Sequence, residues 1–292
     1  MATATTALRT APQPGVRWNR ILGRTAVYVI AILCVFLTLI PILWLILTSF
    51  RPQIELSSPR LMLLPHDPTL QNYVDVFTRY KTTDYLRNSI IVSLGVVITN
   101  LIIGPPAAYA LARFRFPGDQ LVLAMIIVFR MIPIVTAMIP LFIVFTVLGL
   151  INTYAGLIVA HTAFKLPVTI WVLRGFFIDV PKELDDSARV DGCSTFGTFW
   201  RIALPLVKPG LAAAGVLAFL WTWNDLIVTL ILSTGDATVM LPLGLTKFVL
   251  EYGVDWGPMT AAGVIVFLPT LVFIFVAERY LVGGLTLGGV KE

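Results

Sequence analysis

Six stretches of predominantly apolar residues, at about 24–48, 86–111, 121–148, 155–177, 206–233 and 259–280, limit what this chain can become. Each meets the roughly 20 residues that a helix needs to cross a hydrocarbon core about 30 Å thick. In lipid the backbone must satisfy its own hydrogen bonds, so such runs become helices. Composition agrees: 58% of the 292 residues are apolar and 13% are charged, whereas soluble domains are about 25% charged. The expected fold class is an all-α integral membrane protein with six transmembrane helices.

Orientation is read from lysine and arginine, which concentrate on cytoplasmic flanks. With the N-terminus inside, the inner side carries Arg9, Arg17, Arg20, Arg24, Arg113, Arg115, Arg174, Lys182, Arg189, Arg201, Lys208, Arg279 and Lys291. The outer side carries Arg51, Arg60, Arg79, Lys81, Arg87 and Lys247, so thirteen oppose six and both termini are expected inside. Residues 1–23 then form a cytoplasmic leader, 24–280 the six-span domain and 281–292 a cytoplasmic tail. The first apolar run is too long for a signal peptide, whose apolar region is about 7–15 residues. The net charge of +5 is spread over several loops, which makes it a topology signal and argues against nucleic acid. Cys34 falls in a span and Cys193 in a loop, too far apart for an internal disulfide.

Between spans, the prolines of 51–84 predict an extended meander, with a short helix at Thr69–Phe77 whose apolar side is Leu70, Tyr73, Val74 and Phe77. Pro117-Gly118 supplies a tight inner turn. The apolar piece 241–250 is too short to span and is expected at the interface or on the bundle, with Tyr252 and Trp256 as aromatic anchors. Pro41, Pro105, Pro106, Pro133, Pro140, Pro167 and Pro269 lie inside spans, and each invites a kink.

Catalytic signatures are missing. There is no phosphate-binding G-x-x-x-x-G-K-[ST] loop, no G-x-S-x-G, no H-E-x-x-H and no metal spacing, so no metal site is expected. Two histidines are too few for a proton wire. Any energy source must be borrowed or be an ion gradient.

The polar stretch inside 178–205 is the exception to this apolar design. Pro181 suits a helix first turn, Glu183, Asp185 and Asp186 complement its positive end, and Gly192 is a good stop. Ser194 or Thr195 caps a second helix bearing Phe196, Phe199, Trp200 and Ile202, which Pro205 ends. Leu184, Ala188 and Val190 give the first, about 11 residues long, a small apolar face. An amphipathic segment resting on the inner leaflet is one reading. Acidic faces are repelled by anionic lipid, which favours docking into a groove of a soluble partner.

Asp186-Ser187-Ala188, then Gly192, then Ile202-Ala203-Leu204-Pro205 resemble the coupling motif of binding-protein-dependent ABC importer permeases, Glu-Ala-Ala, three residues, Gly, nine residues, Ile-x-Leu-Pro. Asp186 and Ser187 depart from that pattern while keeping charge and small size. Asn88-Ser89, Ala108–Arg113, Trp223-Asn224-Asp225 and Gly284–Lys291 extend the resemblance to MalG-type sugar permeases over nearly the whole chain. The resemblance implies a multi-pass protein of the cell inner (plasma) membrane and a MalF-type permease partner. Two cytoplasmic ATPase subunits, an extracytoplasmic solute-binding protein and a carbohydrate cargo complete the implied assembly. ATP and Mg2+ would belong to the ATPases, with no cofactor on this chain and no catalytic residues. Glu183, Asp186, Ser187, Ala188, Asp191, Gly192, Ile202, Leu204 and Pro205 become the expected ATPase-coupling residues, and Gly288–Glu292 is expected to reach between the ATPases.

Charged groups inside spans are costly and mark candidate sites. Arg130, Lys165 and Asp225, with Trp221, Trp223 and Asn224, form the candidate substrate path; Asn100 and His161 keep them company. The alternative is that Asp225 pairs with Arg130 or Lys165 to hold the bundle together. Gly210, Ala214, Gly215 and Ala218 predict a close helix-packing face. A gradient-driven carrier of a small polar solute is the competing function; it would show internal repeats and paired midplane carboxylates. Neither is apparent.

Overall fold

The computed structural model describes residues 16–58, 64–250 and 253–287, with side chains from residue 23 to residue 275 within those limits. Most of the leader, Tyr252 and the tail segment Gly288–Glu292 lie outside the described residues. The described chain is almost entirely helical; the departure from all-α is a two-residue antiparallel pairing of Val249–Leu250 with Gly253–Val254.

Four helices are long and apolar enough to cross a membrane by themselves: Gly23–Ser49, Thr82–Arg113, Tyr154–Asp179 and Trp256–Phe275. Two further helix pairs qualify jointly but are sharply bent. The first helix starts at Val16, inside the stretch expected as leader, and the last runs to Leu287, into the expected tail.

The expected third span is broken by 99° between Asp119–Met131 and Ile134–Val147. Ile132 is extended ahead of Pro133, as the residue before a proline prefers. Pro41, Pro105, Pro106, Pro140, Pro167 and Pro269 instead lie within continuous helices. The expected fifth span also divides, into Lys208–Trp223 and Ile227–Leu232. There the side chain of Asn224 donates to the Leu220 carbonyl, and Asp225 accepts the Val228 amide. Such local side-chain bonds compete with the helix ladder.

Thr82–Arg113 and Tyr154–Asp179 form the central pair. Gly104 meets the Thr169 side chain and Gly95 that of Ile158, so small residues set the helix separation. Asn100, fully buried, accepts a hydrogen bond from Thr169 (3.1 Å). Lys208–Trp223 closes on this pair through Gly210 against Phe176 and Gly215 near Val97 and Leu101. Ala214 and Ala218 are buried beside them, so the predicted small-residue stripe is a packing face.

In the connection between the first two long helices, helix Gln71–Thr78 buries a different face from the expected one, of which Tyr73 alone packs inward. Asn72, Asp75 and Val76 are buried, while Leu70, Val74 and Phe77 are exposed. Asn72 donates to the carbonyls of Ser49 and Arg51 at the end of the first helix. Orphan helix-end carbonyls need partners, and satisfying them outweighs the apolar stripe. The 241–250 piece packs on the bundle through Leu241, Leu243 and Phe248. Asn88 and Ser89 fasten it: Asn88 donates to the Ala237 and Val239 carbonyls, and Ser89 accepts the Leu241 amide (2.7 Å).

Candidate functional site

The polar module leaves the bundle where Tyr154–Asp179 ends. Its first helix is Lys182–Val190, nine residues, with Pro181 one position before the first turn in which it was expected. Its end is a Schellman motif: Cys193 N–H reaches the Ala188 carbonyl (2.9 Å) and Gly192 N–H the Arg189 carbonyl (3.0 Å). Gly192 has φ +82°, the left-handed conformation that glycine adopts without penalty. Ser194 caps the next helix by accepting the Gly197 amide.

That helix runs Thr195–Leu206 and then turns by 76° into Lys208–Trp223. Pro205 was expected to end it. Instead a wide π turn at Phe199–Ala203 precedes the proline, and the helix continues one residue past it. A wide turn shifts the ladder and accommodates a residue that lacks an N–H.

The module has two faces. Inward, Asp185, Ala188, Thr198, Phe199 and Ala203 are buried, and Leu204 packs partly against the same core. Outward, Leu184, Val190, Phe196, Trp200 and Leu206 are exposed, so Leu184 and Val190 do not share a buried face with Ala188. Glu183, Asp186, Ser187, Asp191, Gly192 and Pro205 are also exposed, and Ile202 is half-buried. The Ser187 hydroxyl donates to the Glu183 carbonyl (2.7 Å).

Sequence reasoning missed the joint between module and bundle. Arg113 and Asp185 form an ion pair at 2.6 Å with side chains only 4% and 7% exposed. Arg113 also donates to the Val180 carbonyl (2.9 Å), where the loop begins. Above them Tyr109, Phe177 and Phe199 pack as an aromatic cluster, with Tyr109 centroids 5.4 and 5.2 Å from the two phenylalanines. The available signal was a basic residue closing the Thr82–Arg113 helix opposite an acidic helix start.

A second constellation surrounds a cavity of about 750 Å³ among the spans, lined by Arg130, Lys165, Trp221, Asn224 and Asp225 with apolar neighbours. Lys165 donates to Asp225 at 3.0 Å, which selects Lys165 over Arg130 as the carboxylate's partner. Arg130 lies over the Trp221 ring at 5.6 Å. His161 is fully buried, with Nδ1 4.0 Å from Asp225. Trp223 does not line this cavity: it is fully buried, stacked on Phe219, and donates to the Val266 carbonyl.

Glu55, His66 and Asp67 converge in the connection between the first two long helices, where no metal spacing was foreseen. The Glu55 carboxylate accepts the amides of His66 and Asp67, so it closes a loop.

The described chain is thus a bundle of four to six candidate membrane spans, with a cavity between them lined by charged and polar side chains and a two-helix polar module at one end. The chain belongs to the family described as the binding-protein-dependent transport system inner membrane component, whose model matches residues 100–282. It is 33% identical to the sulfoquinovosyl glycerol transport system permease protein SmoH of Agrobacterium fabrum, over 87% of this chain and 89% of that protein. It is 34% identical to the trehalose/maltose transport system permease protein MalG of Thermococcus litoralis, over 94% of this chain and 99% of that protein. A chain of a bacterial ABC transporter involved in import of the acidic polysaccharide alginate shares the fold, with TM-score 0.79 at 23% identity, covering 94% of this chain and 99% of that one. The protein is thus a transport permease subunit, and ATP hydrolysis belongs to a separate subunit.

Proposed function

We propose that this chain is the MalG-type half of an ATP-driven carbohydrate importer. It spans the cell inner membrane six times with both termini in the cytoplasm, pairs with a MalF-type permease and is driven by two ATPase subunits. The single observation that carries the reading is the module Lys182–Leu206: two short helices that turn Leu184, Val190, Phe196 and Trp200 outward beside exposed Glu183, Asp186 and Asp191. An apolar, partly acidic helical surface of that kind suits a groove in a soluble protein. Relatives of this length named for sugar transport support the carbohydrate cargo. Family membership removes the support for a gradient-driven carrier.

The motif residues Glu183, Asp186, Ser187, Ala188, Asp191, Gly192, Ile202, Leu204 and Pro205 would carry coupling. ATP and Mg2+ would reside in the ATPase, and none on this chain. An extracytoplasmic binding protein would deliver the cargo to the cavity between spans. Purification of the tagged chain from its native membrane should bring ATPase subunits with it, and Gly192→Asp should abolish uptake. No Cβ contact lies within 4 Å at Gly192, so an effect would come from the left-handed turn and the docking surface, not from a clash within this chain. Purification without an ATPase, or normal uptake by the variant, would sink the reading.

A further inference from the structure

Charge in the cavity does not balance. Lys165 and Asp225 neutralise each other across 3.0 Å. Arg130 is left over: among the described residues no carboxylate lies within ion-pair distance of it, and it makes no hydrogen bond there. It sits eleven residues into the helix that starts at Asp119, about 16 Å along its axis at 1.5 Å per residue. That length is about half the thickness of a hydrocarbon core of about 30 Å, so a helix that enters lipid at Asp119 carries Arg130 to such a depth. A charge at such depth must face a pathway or a counter-charge.

The carbonyl end of its own helix, which closes at Met131, offsets only part of the charge. The ring of Trp221 takes one face of the guanidinium and leaves its N–H groups free. Arg130 also lines a second cavity of about 390 Å³ beside exposed Trp171, and a third of about 330 Å³ that reaches Lys165. Three cavities therefore meet at one guanidinium that has no ion-pair or hydrogen-bond partner among the described residues, with the Trp221 ring on one face and Trp171 lining one of the cavities.

We propose that Arg130 is an anion anchor in the transport path, and that the cargo is an acidic carbohydrate bearing a carboxylate, sulfonate or phosphate. Guanidinium binds planar or tetrahedral oxyanions through paired N–H groups. Trp221 and Trp171 offer the apolar faces against which a sugar ring lies. This inference rests on the carbohydrate-importer reading and narrows its substrate class.

The test uses the complete importer, this chain with its partner permease, ATPases and binding protein, in proteoliposomes. Uptake is measured for a panel of neutral saccharides, uronate-bearing oligosaccharides, sulfonated sugars and sugar phosphates. The expected result is transport confined to acidic saccharides, with Arg130→Gln lowering it at least about tenfold, the scale of one charge-assisted contact. Arg130→Lys, which keeps the charge without the paired donors, should recover part of the rate. Transport of neutral saccharides with Arg130→Gln unimpaired overturns the anion anchor and leaves the carbohydrate reading intact. Loss of co-purifying partner permease in Arg130→Gln also overturns it, because Arg130 would then be an interface ion-pair residue. ATP-dependent uptake of no saccharide at all sinks the carbohydrate reading itself.

Discussion

Asp185 and Asp186 are sequence neighbours with opposite surroundings. Asp186 is exposed on the module, and Asp185 is buried against Arg113. Helical geometry turns adjacent residues about 100° apart, so one carboxylate meets the bundle while the other meets solvent. Removing one member of a buried pair leaves an uncompensated charge and costs about 3–5 kcal/mol. Asp185→Asn should therefore lower the Tm of the detergent-solubilised importer and weaken coupling of ATP hydrolysis to uptake. Asp186→Asn should leave that Tm unchanged. Equal Tm values for the two variants would refute the assignment.

Tyr80, in the connection before the Thr82–Arg113 helix, packs its ring against Phe248 and donates to Asp255 (2.9 Å). Burial first, and then the Asp255 bond, push its phenol up to about 12. The folded value lies above the free value of about 10, so the folded state favours the neutral phenol. Its stabilising contribution is intact below about pH 10 and is lost as pH rises through the raised value. The stability advantage of the native chain over Tyr80→Phe should accordingly disappear by about pH 12 in an alkaline unfolding series. An advantage that grows with pH would contradict this sign.

At the scale of elements, close helix approach explains the bundle better than hydrophobicity does, since lipid is as apolar as the core. A Cβ added at Gly210 would meet the Phe176 ring at 2.5 Å. Gly210→Val should destabilise by about 1–3 kcal/mol, the usual cost of overpacking, read as a lower Tm and a smaller folded yield. Gly210 and its neighbours were legible as a packing stripe because small residues recur at helical spacing. Helix Gln71–Thr78 was not legible in the same way. Leu70, Val74 and Phe77 of the expected apolar side lie outward while Val76 is buried, because Asn72 is committed to the carbonyls of Ser49 and Arg51 at the end of another helix. No local pattern in 69–77 announces those acceptors. Likewise, the proline count predicted kinks, yet a sharp break among the described residues falls at Pro133 and not at Pro105, Pro106 or Pro167. Whether a proline bends its helix depends on the neighbours that brace it.

For the whole molecule, the arrangement predicts opposite accessibility at its two ends. With Cys34 and Cys193 replaced by serine, a cysteine at exposed position Arg79 should react with an impermeant maleimide in intact cells. Native Cys193, at the junction of the two module helices, should react only in inverted vesicles. The converse pattern would reverse the proposed orientation.

Sequence alone determined that the chain is a bundle of apolar helices, because lipid admits no other solution for runs of that length. It also delimited the two-helix module, since caps and stops such as Ser194 and Gly192 are local chemistry. Tertiary structure decided the pairings. Lys165 was chosen over Arg130 for Asp225, Trp223 was committed to the core, and Asp185 was joined to Arg113. Those contacts link residues dozens of positions apart, and their partners are fixed by how helices rotate against one another. That packing leaves Arg130 over the Trp221 ring with no carboxylate beside it among the described residues.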